Sequence, residues 1–194
     1  MKRTLMSITL AVVAALTVAG CGSDTDSNGS TGSTESSDAQ FNDADVTFAQ
    51  QMIPHHEQAV EMATMAQERA SSPEVKQLAA KIEAAQGPEI DTMAGWLEDW
   101  GQEAPSDSMG GMDHSGSDMS GMMSDEDMES MGAATGTEFD QMFLTMMIEH
   151  HTGAIEMAQA EQQDGENPDA IALAEKIEAD QTAEIAQMED LLGS

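Results

Sequence analysis

The sequence predicts an all-α protein, a four-helix bundle built from two copies of one helical hairpin. Three observations carry that expectation. The stretch Phe48–Leu97 returns without a gap at an offset of 95 positions. Thus Met52-Ile53-Pro54-His55-His56 comes back as Met147-Ile148-Glu149-His150-His151, and Lys81-Ile82-Glu83-Ala84 as Lys176-Ile177-Glu178-Ala179. In both copies the apolar residues recur at three- and four-residue spacing, the period of a helix face. Strand signals are missing, and aromatic residues make up only 3% of the chain.

The first twenty residues read as an export signal, with Lys2 and Arg3 ahead of an apolar run from Leu5 to Val18. Val18-Ala19-Gly20-Cys21 resembles the bacterial lipoprotein cleavage box, which makes Cys21, the single cysteine, the expected site of lipidation. Several acyl chains anchor stably, each buried methylene adding about 0.8 kcal/mol. Residues 21–42 then form a tether of Ser, Thr, Gly and Asp too polar to offset its ordering entropy. The expected location is extracytoplasmic, held to the bacterial membrane through Cys21. One cysteine permits no intramolecular disulfide.

Residues 43–100 form the first hairpin. Its first helix runs from about Asp45 to Arg69, with Phe48, Met52, His56, Ala59 and Ala63 inside. The second is capped by Ser72, with Pro73 at the first helical position. Residues 137–194 form the second hairpin. Its helices run from about Glu138 to Gln163 and onward from Asn167-Pro168. Helices of this size are about 37 Å long. An up-down-up-down bundle is expected, with the two His-bearing helices parallel across a diagonal. Pro54 and Gly87-Pro88 interrupt the first copy only, which reads either as a kink opening space for a ligand or as divergence of the repeats. Between the hairpins, residues 101–136 read as a flexible, Met-rich acidic insert.

Composition narrows function. Six basic against 37 acidic residues give a formal net charge of −31, which repels nucleic-acid phosphates and anionic headgroups. Nucleic acid is therefore excluded as a partner. Methionine is the anomaly, at 18 residues against 16 glycines. Four of the five histidines form the two His-His pairs, at matching register. Met52 and His56 share a helix face, as do Met147 and His151; His55 and Met62 are two turns apart, as are His150 and Met157. Imidazoles and thioethers so placed make one pseudo-symmetric site or two related ones. Thioethers select Cu(I), and imidazole accepts both copper states and Zn(II). Outside the cytoplasm thiols tend to oxidise to disulfides, which leaves methionine as the more durable soft ligand.

The insert supplies further candidates in Met109, Met112, His114, Met119, Met122 and Met123, with compositional drift as the plain alternative. Met93, Met142, Met146 and Met188 read as core packing. Glu61, Glu83, Glu89, Glu156, Glu178 and Glu184 read as a mostly solvated face. No Glu lies three residues before a His, as a di-iron bundle needs, and no His-Glu-x-x-His or nucleophile motif is present. Catalysis is not expected.

The segment Phe48–Ala63 resembles the signature of the domain-of-unknown-function 305 family, and Phe143–Ala158 repeats the pattern. The resemblance covers about Asp43 to Leu192 apart from the insert. It implies an exported, ferritin-like helical bundle, with some members implicated in copper binding and tolerance. It also implies Met52, His55, His56 and Met62, with Met147, His150, His151 and Met157, as the ligand set. The leading expectation is copper binding as Cu(I), for buffering or trafficking. The alternatives are a carboxylate-rich metal oxidase and a metal-free interaction module. Oligomeric state and a copper-delivery partner stay open.

Overall fold

The computed structural model describes residues 40–105 and 119–193. They form five helices: α1 (Asp43–Arg69), α2 (Pro73–Asp99), α3 (Asp125–Ala133), α4 (Gly136–Asp164) and α5 (Pro168–Leu192). The four long helices match the expected ones within two residues at the ends the sequence marks. Asn42 starts α1 with a capping box, its side chain accepting from Ala44 and Asp45 N–H while Asp45 accepts from Asn42 N–H. Ser72 and Asn167 cap α2 and α5, each followed by proline at the first helical position. Helices α1 and α2 continue through Pro54 and Pro88.

The arrangement of the hairpins differs from the expectation. The first His-bearing helix, α1, packs directly on the second, α4, and the two are antiparallel. Asn42 at the start of α1 donates to the Asp164 carbonyl at the end of α4 at 2.8 Å. The core accordingly falls into two halves. One joins Ala59–Ala70 of α1 to Phe139–Met147 of α4; the other joins Phe48–Ile53 of α1 to Ala154 and Ala158 of α4. A pseudo-two-fold axis thus crosses the bundle between α1 and α4, at the height of the His pairs. The hairpins are related by that dyad, and the His-bearing helices are not parallel across a diagonal.

The connection between hairpins explains this topology. Helix α2 ends beside the start of α1, whereas α4 begins beside its end. The chain must therefore climb the bundle, about 40 Å for a 27-residue helix. The described parts of the connection meet α1 at successive levels. Gln50 donates to the Glu103 carbonyl (2.9 Å), His55 meets the Ser120 carbonyl (3.2 Å) and Gln58 exchanges two bonds with the Met123 backbone. Farther up, Gly132 lies against Met65, and Gly136 bridges to Ala70. The stretch expected as one flexible insert therefore carries a capped helix, α3, whose Met131 is fully buried in the core. Capping by Ser124 and Asp127 and burial of one apolar side chain order a segment too poor in aliphatics to fold alone.

Candidate metal centre

The dyad brings the two His pairs into one buried layer. His55, His56, His150 and His151 are all 0% exposed. His55 and His150, equivalent positions of the repeat, face each other with ring centroids 3.8 Å apart and planes tilted by 41°. The outer two are held by carboxylates from the neighbouring helix of their own hairpin. His56 Nε2 lies 2.8 Å from Glu89 Oε2, and His151 Nε2 lies 2.7 Å from Glu184 Oε2. Lys176 adds a second contact to Glu89 at 2.9 Å.

These partners fix the tautomers. A carbonyl or a carboxylate only accepts, so His55, His56 and His151 each carry a proton on Nε2. All three Nδ1 atoms are buried without a hydrogen-bond partner, as are both ring nitrogens of His150. Buried polar atoms are normally satisfied, so five unpartnered imidazole nitrogens in one layer are a marked exception. Burial holds His55, His56 and His150 neutral. It lowers His55 to about 3, helped by the nearby His56, and lowers His150 well below the usual value, helped by His55. It also lowers His56, although Glu89 opposes the shift. Burial alone would raise Glu89, but His56 and then Lys176 outweigh it and keep that carboxylate ionised.

Neutral imidazole with a carboxylate behind its far nitrogen is the arrangement that orients histidine ligands and raises their basicity. Among the described residues, no three His, Cys, Asp or Glu side chains are arranged around a single ion. Met52 and Met147 lie fully buried one turn before His56 and His151, in the core halves on opposite sides of the His layer. Met62 is fully buried, among Val75 and Leu78 of α2. Its counterpart Met157 is only half-buried and lines a surface cavity with Met119. Met122 and Met123 are half-buried on the crossover. Cys21, Met109, Met112 and His114 lie outside the described residues, as do the export signal and nearly all of the tether.

Residues 45–192 match the sequence profile of the family described as Domain of unknown function (DUF305). The chain belongs to this family. Three solved structures give the likeness its scale. One is a DUF305 protein of Streptomyces coelicolor described as a candidate secreted protein: 35% identical, TM-score 0.70, covering 77% of this chain and 92% of that one. A DUF305 fragment from Deinococcus radiodurans is 30% identical, with TM-score 0.70 and coverage of 78% and 97%. CopM in its Cu(II)-bound form is 34% identical, with TM-score 0.67 and coverage of 77% and 95%. CopM is also known in Cu(I)-bound, silver-bound and apo forms. No functionally curated protein matches the chain.

Within this DUF305 bundle several residues matter that sequence reasoning misread. Glu89 and Glu184 are not on a solvated face: Glu89 is buried and Glu184 half-buried, both against histidine. Their signal was present, since both sit at the repeat offset from each other and 33 residues after a His. Asp45 and Asp140, another repeat pair, each reach across the dyad to the other hairpin's turn. Asp140 accepts from Ser71 N–H, Ser71 Oγ and Ser72 N–H, while Asp45 accepts from Glu166 and Asn167 N–H. Burial would raise Asp45, but the Asn42 N–H, Glu161 and the two turn N–H groups together lower it. Glu161 has no counterpart, because Ala66 stands at the equivalent position. Burial, then contact with Asp45, raises it to about 8. Neither Glu161 oxygen meets a donor, so its contact with the Asp45 carboxylate requires Glu161 to carry the proton.

Proposed function

We propose that this protein binds copper as Cu(I), outside the cytoplasm and tethered through lipidated Cys21, and that it buffers the ion or hands it on rather than catalysing. The observation that carries the reading is the set of four buried imidazoles with unpartnered ring nitrogens, two of which, His55 and His150, meet ring to ring across the dyad. His55, His56, His150 and His151 would supply the ligands, with Met52 and Met147 the nearest thioethers along the same helix faces. Glu89, Glu184 and the Ser120 carbonyl hold the rings in the tautomer that leaves Nδ1 free. The chain's likeness to CopM, solved in copper- and silver-bound forms, supports a soft-metal role.

Competition with a chromogenic Cu(I) chelator under reducing conditions tests the reading. The double variant H55Q/H150Q, checked for helicity, is expected to lose more than about 100-fold in affinity, beyond the range of outer-shell changes. The variant M109L/M112L/H114Q is expected to keep tight binding. Unchanged affinity in a folded H55Q/H150Q protein would overturn the assignment.

A further inference from the structure

The dyad relates two grooves between α1 and α4, and among the described residues only one of them is filled. On one side α3 lies in the groove, with Met131 fully buried and Met128, Met65, Met142 and Met146 packed against the same core cluster. On the other side, at the positions equivalent by the repeat, a cavity of about 610 Å³ stands open. Met119 and Met157 line it, with the acids Asp43, Glu156, Glu161 and Asp164, and no Lys or Arg. Glu161 is 2% exposed, and neither of its carboxyl oxygens accepts a hydrogen bond. Substitution has broken the symmetry in one chemical sense. Met65, Ala66 and Arg69 on the filled side correspond to Ala160, Glu161 and Asp164 on the open one. A methionine and a cation have been exchanged for space and two acids.

The cavity also adjoins the His layer. Ser120 lines it, donates from Oγ to Glu156 at 2.5 Å, and presents its carbonyl to His55 Nε2. Only the Ser120–Gly121 turn separates the two places. Gly153 of α4 makes room for that turn, since a Cβ there would lie 1.8 Å from the Ser120 oxygen. Its repeat counterpart is Gln58, which grips Met123 of the same segment.

We propose that this cavity is a loading port for a soft monovalent cation, held by the thioethers of Met119 and Met157 with Glu156 and Glu161 beside them, before it passes to His55 and His150. The proposal rests on the His-layer reading for its destination, but the port itself is a separate site. Sulfur donors select Cu(I) or Ag(I) over hard divalent ions, and the carboxylates of Asp43, Glu156 and Asp164 attract any cation to the mouth, whereas Glu161 is held protonated against Asp45. Met157 thereby leaves the His ligand set and pairs with Met119 across the crossover.

Silver(I) titration of the full chain, followed through methionine methyl and histidine ring NMR signals, tests both parts. Met119 and Met157 methyls are expected to shift together at low silver. The near-isosteric double variant M119L/M157L is expected to slow loading of the His layer by about tenfold and to leave its final affinity unchanged. Imidazole shifts with silent Met119 and Met157 signals, or unchanged loading in M119L/M157L, would overturn the port and leave the His layer standing. Methyl shifts with silent imidazoles would uphold the thioether site and remove the His-layer reading instead.

Discussion

The four histidines show how a buried polar residue is given a direction. Each of three rings has a fixed acceptor behind Nε2, and the acceptor decides which nitrogen is left bare. Replacing Glu89 and Glu184 by glutamine keeps an oxygen that accepts from the ring but removes the charge behind it. E89Q/E184Q is expected to weaken Cu(I) binding by about 10- to 100-fold with little loss of helicity, read by chelator competition. Equal affinity would show that the carboxylates only pack. Gly153 supplies a second test. In an ordinary exposed helix Gly→Ala stabilises, because alanine is the better helix former by about 1 kcal/mol. Here the added Cβ would strike the Ser120 carbonyl, so G153A is expected to lower Tm and to increase proteolysis at Ser120–Ser124. A raised Tm with unchanged cleavage would contradict the close seating. The histidines themselves were legible in the sequence, because repetition at one register separates them from chance. Their carboxylate partners were not, since a glutamate on an amphipathic helix reads as solvated until the neighbouring helix is placed.

At the level of elements, the caps and the prolines that follow them made each helix start readable, and periodicity gave the inner faces. The packing of hairpin on hairpin was not readable from periodicity. The length of the segment 101–136 was the overlooked signal. A short loop forces neighbouring helices up and down in turn, whereas a long one lets the chain climb the bundle and begin α4 at the far end. The structure ties the hairpins by reciprocal carboxylates, Asp140 on the α1–α2 turn and Asp45 on the α4–α5 turn. Asparagine at 140 keeps the shape but puts an amide N–H₂ where an acceptor is needed. Hydrogen bonds to a charged group contribute about 1.5–3 kcal/mol each, and part of that survives in the remaining carbonyl. D140N is therefore expected to cost about 2–4 kcal/mol in denaturant unfolding. Since the bond crosses from one hairpin to the other, the loss is expected in a single cooperative transition. Two separated transitions would mean that the hairpins are energetically independent.

Across the whole molecule, pH acts on two buried sets of opposite sign. The imidazoles of His55, His56 and His150 have folded pKa values below that of the free side chain, so the unfolded chain binds their protons first. Their stabilising effect is complete above about pH 6.5 and is lost as pH falls, by up to about 1.4 kcal/mol per pH unit for each ring kept neutral. Glu161 runs the other way. Its folded value is raised from 4.5 to about 8, so between those values the folded state holds a proton that the unfolded chain has released. Stability from this group falls as pH rises through that window. Acid thus weakens the His layer, while mild base strains the Asp45–Glu161 contact beside the α4–α5 turn. Glutamine at 161 donates to Asp45 at any pH and needs no proton. E161Q is expected to raise Tm relative to the parent at pH 8, with the difference shrinking as pH falls and levelling off only below about pH 4, under the unfolded value of 4.5, where Glu161 is protonated in both states. The acid-side decline below pH 6.5 should persist unchanged in E161Q, because it belongs to the histidines. A Tm difference independent of pH would show that Glu161 is ionised in the folded protein and that a cation, rather than a proton, balances the pair.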